Sequence, residues 1–151
     1  AQYQASRDGY YWNDHIISDY NSLADYSYDK TKAESMRNAG FGVVNTHRAN
    51  GIHRGTSLLL ALSDQLLDRE RFINTEAVEH FSFKKSTTSN QSYPSSIMGA
   101  MALIRQFYHD VSWYEAGNAD HTDLAIEAAL KNKNLPKHFI TIIFCIITII
   151  F

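Results

Sequence analysis

The sequence is poor in the residues that carry several common chemistries. One cysteine, Cys145, stands among 151 residues, so no disulfide within the chain and no cysteine-based metal site can form. The seven glycines contain neither a Gly-x-Gly-x-x-Gly nor a Walker pattern, and no serine stands in a Gly-x-Ser-x-Gly setting. These absences exclude the usual phosphate-binding loops and the nucleophile elbow of serine hydrolases.

An excess of charge of one sign is also missing. The 14 basic and 16 acidic residues give a formal net charge of −2, and the basic residues form no stripe, so a nucleic-acid-binding surface is not expected. The 44% apolar and 20% charged composition predicts a packed core in one domain of ordinary size. The chain begins with Ala1 and has no early apolar run. A secretory signal is therefore expected to be absent or already removed, and the missing Met fits a start inside a longer reading frame.

Helix and strand signals alternate in the first half of the chain. Asp29 is a plausible N-cap for a helix over residues 30–39, and Gly40 suits the position that ends it. Residues 41–46 are β-branched and predict a strand. Residues 56–62 form a continuous apolar run, which predicts a strand buried on both faces.

The next segments are polar or weakly patterned. Gly51 and Gly55 indicate a turn between the first two strands. Residues 64–71 are charged and predict a helix or a turn. Residues 78–83 alternate apolar with polar side chains and predict a strand at a sheet edge, and the polar residues 84–93 predict a loop.

Two helices are predicted in the second half. Pro94 fits the first turn of a long helix that ends near Gly117. Thr122 is a plausible N-cap of a second helix, which Pro136 ends. The long helix carries an apolar stripe at helical spacing that should face the core, formed by Ile97, Met101, Ile104, Tyr108 and Val111. Strands interspersed with helices favour an α/β or α+β architecture.

The last fourteen residues, HFITIIFCIITIIF, do not fit this pattern. After Phe139 they contain only Ile, Phe, Thr and Cys, with no charge and no turn residue. They are longer than a typical strand and shorter than the roughly 20 residues of a membrane-spanning helix. Three interpretations stay open: a buried strand, a membrane anchor, and translation through a shifted frame of AT-rich DNA. The shifted frame is favoured, because AT-rich codons encode this composition.

Two stretches resemble a known family. AGFGVVNTHRANGIHRGTSLLLAL (residues 39–62) and QSYPSSIMGAMALIRQFYHDVSWY (residues 91–114), together with KNKNLPK (residues 131–137), are similar to the imidazolonepropionase-related branch of the metal-dependent amidohydrolases. The resemblance covers most of residues 10–137. It implies an α/β fold, a partial (β/α)-barrel segment with an irregular N-terminal region and an apolar C-terminal tail.

The resemblance also implies hydrolysis of C–N bonds, in amides or cyclic amidines, by a parent protein that holds a zinc-like divalent metal. In this family a His-x-His pair on the first barrel strand and further ligands on later strands hold the ion. No His-x-His occurs here, and the later strands would follow Lys137. We therefore expect no metal or other cofactor in this chain, and no catalytic residue is assigned.

Three residues are candidates for contact with a small-molecule substrate of the parent. His47 follows the first predicted strand, at the end where barrel active sites gather, and His53 and Arg54 lie between Gly51 and Gly55. Arg54 has the fork geometry to bind an anion. The alternative is that these side chains only bind loop carbonyls.

The sequence thus predicts two parts: residues 1–137, a fragment of an amidohydrolase-like barrel domain, and residues 138–151, a tail foreign to that fold. The expected function is that of a hydrolase fragment, inactive alone because the metal-ligand strands are missing. The alternative is a non-catalytic structural or binding module, which the tail could hold at a membrane. Contact of the tail with a membrane is not favoured.

Overall fold

The computed structural model describes residues 9–140. These residues form a mixed α/β fold with two three-stranded sheets and two hydrophobic clusters. The elements, in chain order, are α1 (Lys30–Asn38), β1 (Val43–Thr46), β2 (His53–Thr56), β3 (Leu58–Ala61), α2 (Asp68–Arg71), β4 (Phe72–Asn74), β5 (Glu79–Ser82), α3 (Ile97–Glu115), α4 (Leu124–Lys131) and β6 (Lys137–Ile140).

The first sheet has the order β1-β3-β4, with antiparallel pairs throughout. The side chain of Asp29 accepts the backbone N–H of Lys32 and caps α1, as the sequence predicted. Ala33 of α1 belongs to the same apolar cluster as Leu58 and Leu60 of β3. The prediction of a strand buried on both faces is wrong, because the alternate residues of β3 are only half-buried.

The second sheet has the order β2-β5-β6. β5 lies at its centre, antiparallel to β2 and parallel to β6, and all four of its residues are buried. The sequence placed this strand at an edge, which is wrong. The polar residues of the strand suggested a face turned to water. Glu79 and His80 are instead buried against polar partners, Glu79 against Lys137 and His80 against Asn45.

β2 replaces the turn that was predicted between Gly51 and Gly55. The strand makes further bridges to Ile16 and to Asn21 in the irregular N-terminal region. Gly55 has φ +74°, and a Cβ there would lie 2.0 Å from the carbonyl oxygen of Tyr20. This glycine therefore permits close approach of two backbones, which a local pattern does not distinguish from a turn.

The long helix was predicted correctly, and the predicted core-facing stripe is confirmed at Ile104 and Val111, which are buried. Ser96 caps α3 by accepting the N–H of Gly99, and Pro94 precedes the cap. Ile97 and Met101 of the predicted stripe are 52% and 40% exposed. The buried face is rotated from the predicted one, because Ala100, Leu103 and Phe107 join Ile104 and Val111 in the cluster that contains Phe81 of β5. The predicted and the observed faces both have helical spacing. The observed face buries the large ring of Phe107 completely, which removes a large apolar area from water.

The connection from β5 through α3 and α4 to β6 is a parallel crossover. The N-cap of α4 is Asp123, one residue after the predicted Thr122, because its carboxylate accepts the N–H groups of Ala125 and Ile126. Such crossovers build (β/α) barrels. The described residues contain no closed barrel, and the first sheet is antiparallel, so the barrel segment stays a prediction.

The predicted boundary at residue 138 falls within β6. Residues 138–140 pair in register with β5 and therefore belong to the sheet. The remainder of the predicted tail, residues 141–151, lies outside the described residues, and its origin stays a prediction. Across residues 9–140, no helix combines the length and apolar character needed to cross a membrane.

Candidate functional site

Strand alternation sorts the side chains of β5 and β6 onto two faces of the second sheet. Glu79 is in register with Lys137, and His80 is in register with His138. Glu79 and Lys137 share the face that packs against Tyr108 of α3, while the two histidines share the opposite face. The sheet therefore separates two polar clusters that lie back to back.

The first cluster surrounds a fully buried carboxylate. The Nζ atom of Lys137 contacts Oε2 of Glu79, and Nε2 of His53 lies 3.9 Å from Oε1. Burial raises the pKa of Glu79 and the ammonium of Lys137 opposes that rise, while burial also raises the pKa of Tyr108. Burial lowers the pKa of His53 to about 3, with Lys137 adding to the effect, so this ring is neutral near pH 7.

The tautomer of His53 follows from its neighbours. The N–H of Gly55 donates to Nδ1 at 3.3 Å, which leaves the ring proton on Nε2, the atom that faces Glu79. A neutral imidazole at 3.9 Å adds a weak dipolar contact rather than an ion pair. The cluster joins β2, β5, β6 and α3, and its chemistry is that of a structural ion pair.

The second cluster, the histidine cluster, consists of Asn45, His47, His80 and His138. The rings of His47 and His80 stack at 4.2 Å, and those of His80 and His138 meet edge to face at 5.1 Å. Nδ2 of Asn45 lies 3.4 Å from Nε2 of His80, and the Nδ1 atoms of His80 and His138 are 3.4 Å apart. The cluster thus links the end of β1 to both parallel strands.

The imidazoles of His47 and His80 carry no charge near pH 7. Burial lowers the pKa of His47, and it lowers the pKa of His80 to about 3; His138 and Arg54 lower both pKa values further, and His47 adds to the shift at His80. His47 donates from Nδ1 to the carbonyl oxygen of Arg48 at 2.7 Å, so its Nε2 holds a lone pair. Neutral imidazoles of this kind act as hydrogen-bond acceptors, bases or metal ligands.

His47 also borders a cleft. The cleft has a volume of about 430 Å³ and lies between α1, β1 and residues 20–29. Arg48 lies over the ring of Tyr20 at 4.9 Å on its polar side, and Met36 and Leu60 form part of its apolar side. A cleft with an apolar lining and a few polar groups has the character of a small-molecule site.

The structure does not bring the three predicted candidates into one site. His47 borders the cleft, Arg54 is buried and donates from Nε to the carbonyl of Gly51 at 3.0 Å, and His53 is buried against Phe81. Arg54 and His47 therefore make the bonds to loop carbonyl oxygens, those of Gly51 and Arg48, that were the alternative to substrate contact. Their role in binding substrate stays a prediction.

Sequence reasoning missed His80, His138, Glu79 and Lys137 as members of clusters. The signal was present as two dipeptides, Glu79-His80 and Lys137-His138, each at the start of a short apolar strand. The two dipeptides become neighbours only through the parallel register of β5 with β6. The sequence does not predict that register, because the predicted boundary places residue 138 in a foreign tail.

The metal centre that the family resemblance implies does not fit the described residues. No group of three or more His, Cys, Asp or Glu side chains within residues 9–140 is arranged to hold a metal ion. The rings of His47 and His80 are nearly parallel, at 18°, so their in-plane lone pairs do not converge on one point. No catalytic step through a metal is therefore derived for this chain.

Comparison with known proteins identifies one fold relative. An amidohydrolase from Thermotoga maritima matches with a TM-score of 0.62 and 16% sequence identity, over 87% of this chain and 38% of that chain. The likeness shows an amidohydrolase-like fold, and this chain spans less than two-fifths of the length of the protein that it matches. No protein-family model and no curated protein matches the sequence.

Proposed function

We propose that this chain is a segment of a larger amidohydrolase-like hydrolase of the imidazolonepropionase-related branch, and that it is inactive alone. The observation that carries the proposal is the fold likeness, which extends over 87% of this chain but only 38% of the Thermotoga amidohydrolase. The parallel crossover from β5 to β6 supports a barrel segment, because repeated units of this kind form a (β/α) barrel.

The parent would hydrolyse C–N bonds of small amides or cyclic amidines with a divalent metal bound by residues outside this segment. The metal would supply a hydroxide near neutral pH. Within this chain, the cleft beside His47 is the surface that would contact a small substrate. His47 has a neutral ring and an Nε2 lone pair, so it can accept a hydrogen bond from an amide or amidine N–H.

Turnover by the purified chain tests the proposal. Amide and cyclic-amidine substrates are incubated with the chain after loading with Zn²⁺ and, separately, after treatment with EDTA. We expect no hydrolysis above the buffer rate in either sample. Hydrolysis that requires Zn²⁺ and is lost with EDTA would show that the chain holds a complete site, and the inactive-segment assignment would then be wrong.

A further inference from the structure

The pair of histidines on neighbouring parallel strands has the spacing of two ligands on one metal ion. Two nitrogens bound to zinc at about 2.0–2.1 Å with a tetrahedral angle are separated by about 3.4 Å. The Nδ1 atoms of His80 and His138 lie 3.4 Å apart, and their ring planes are nearly perpendicular. In-plane lone pairs of perpendicular rings can meet at one point, which those of the parallel His47 and His80 rings cannot.

We propose that His80 and His138 bind a divalent transition-metal ion such as Zn²⁺ through their Nδ1 atoms, with water in the remaining coordination positions. The two residues are held in register on β5 and β6, so the chelate is formed by the sheet itself. The site is separate from the His-x-His centre that the family resemblance implies, and it has two protein ligands rather than three or more.

An orphaned polar atom beside His80 supports this assignment. Oδ1 of Asn45 is buried and finds no hydrogen-bond partner within residues 9–140, while Nδ2 of the same amide lies 3.4 Å from Nε2 of His80. A 180° rotation of the amide places Oδ1 at that nitrogen, where it accepts an N–H. His80 then carries its proton on Nε2 and presents the Nδ1 lone pair to the ion. Metal-binding histidines commonly donate their second N–H to an oxygen in this way.

The position of His138 and the protonation state of His80 also fit a bound metal ion. His138 is half-buried on β6, which has no further strand beyond it among residues 9–140, so one of the two ligands lies at the edge of the described sheet. His80 is 1% exposed and held neutral by burial, and the neutral ring is the form that binds metal. The stack with His47 fixes the plane of the His80 ring.

Titration of the EDTA-treated full chain with Co²⁺, followed by its tetrahedral absorption bands, tests the proposal, and competition with Zn²⁺ then gives the zinc affinity. We expect one ion per chain. His138→Gln should weaken binding at least roughly tenfold, because it removes one of two ligands from a half-exposed position that tolerates substitution. The matched control is His109→Gln, on the exposed face of α3, which should leave the affinity unchanged.

A second variant makes the test independent of that one substitution. His80→Asn should abolish the tetrahedral bands, and far-UV circular dichroism reports whether this variant folds. If it does not fold, the His138→Gln and His109→Gln comparison alone decides. Failure of the chain to give tetrahedral Co²⁺ bands would overturn the proposal, and so would equal affinity of the His138→Gln and His109→Gln variants.

Discussion

The buried ion pair between Lys137 and Glu79 offers the sharpest test of the sheet arrangement. Lys137→Met removes the ammonium and keeps most of the apolar stem, which leaves a carboxylate that is 0% exposed beside a neutral His53 and Tyr108. Loss of one partner of a buried pair costs about 3–5 kcal/mol. The Lys137 side chain is 28% exposed, so solvent screens the pair, and we expect a loss of about 2–3 kcal/mol at pH 7.

The pH dependence of this loss has a definite sign. Burial raises the pKa of Glu79 above its ordinary value of 4.5, and removal of Lys137 raises it further. An acid with a raised folded-state pKa favours the folded state below the unfolded pKa, and that contribution is lost as the pH rises through the folded pKa. The difference between variant and parent should therefore be largest at pH 7 and shrink as the pH falls to about 4.5. His53 stays neutral across this window because its pKa is about 3.

Urea denaturation in EDTA buffer, followed by far-UV circular dichroism, gives the free energies of unfolding. The matched control is Lys133→Met, which breaks an exposed pair with Glu115 at 2.9 Å and should change stability by at most about 1 kcal/mol. The double variant Glu79→Gln with Lys137→Met should recover part of the loss at pH 7. The buried pairing of β5 with β6 is wrong if Lys137→Met is no more destabilising than Lys133→Met. It is also wrong if Lys137→Met lowers the free energy of unfolding equally at pH 7 and at about pH 4.5.

Three further substitutions test other parts of the fold by the same denaturation measurement. Gly55→Ala should destabilise by at least about 2 kcal/mol more than Gly40→Ala. Both glycines have positive φ, but of the two only Gly55 would bring a Cβ within 4 Å of a backbone atom. Equal losses would contradict the close approach of Tyr20 to Gly55. Phe107→Ala should cost about 3–5 kcal/mol, since the ring is fully buried, and a loss below 1 kcal/mol would argue against the assigned face of α3. Asp123→Ala should cost about 1 kcal/mol and Thr122→Ala much less, and the reverse order would restore the cap predicted from the sequence.

Local signals predicted the parts of this fold that local interactions determine. The cap at Asp29 and the extent of α1 depend on hydrogen bonds between residues a few positions apart, which a short pattern encodes. The same is true of the end of α3 near Gly117, whereas its start was predicted too early, because Pro94 lies before the cap at Ser96 and not in the first turn. The existence and type of these helices could therefore be predicted from the sequence.

Features that depend on distant partners could not be predicted. The sequence predicts a turn at Gly55, because nothing nearby in the sequence shows that Tyr20 packs against it. The face of α3 depends on which of two overlapping stripes fits the sheet, and the fit of Phe107 decides it. The histidine cluster depends on the register of β5 with β6, two strands separated by both α3 and α4.

The nucleotide sequence around the coding region decides whether this chain is a segment of a larger amidohydrolase-like protein. All three frames are read beyond the codon for Ile140, the last residue of β6, together with the frame upstream of Ala1. We expect one downstream frame to continue into strands bearing His and Asp, and the upstream frame to encode a His-x-His pair. Downstream frames that encode no further strands bearing His and Asp, with no upstream His-x-His, would contradict it.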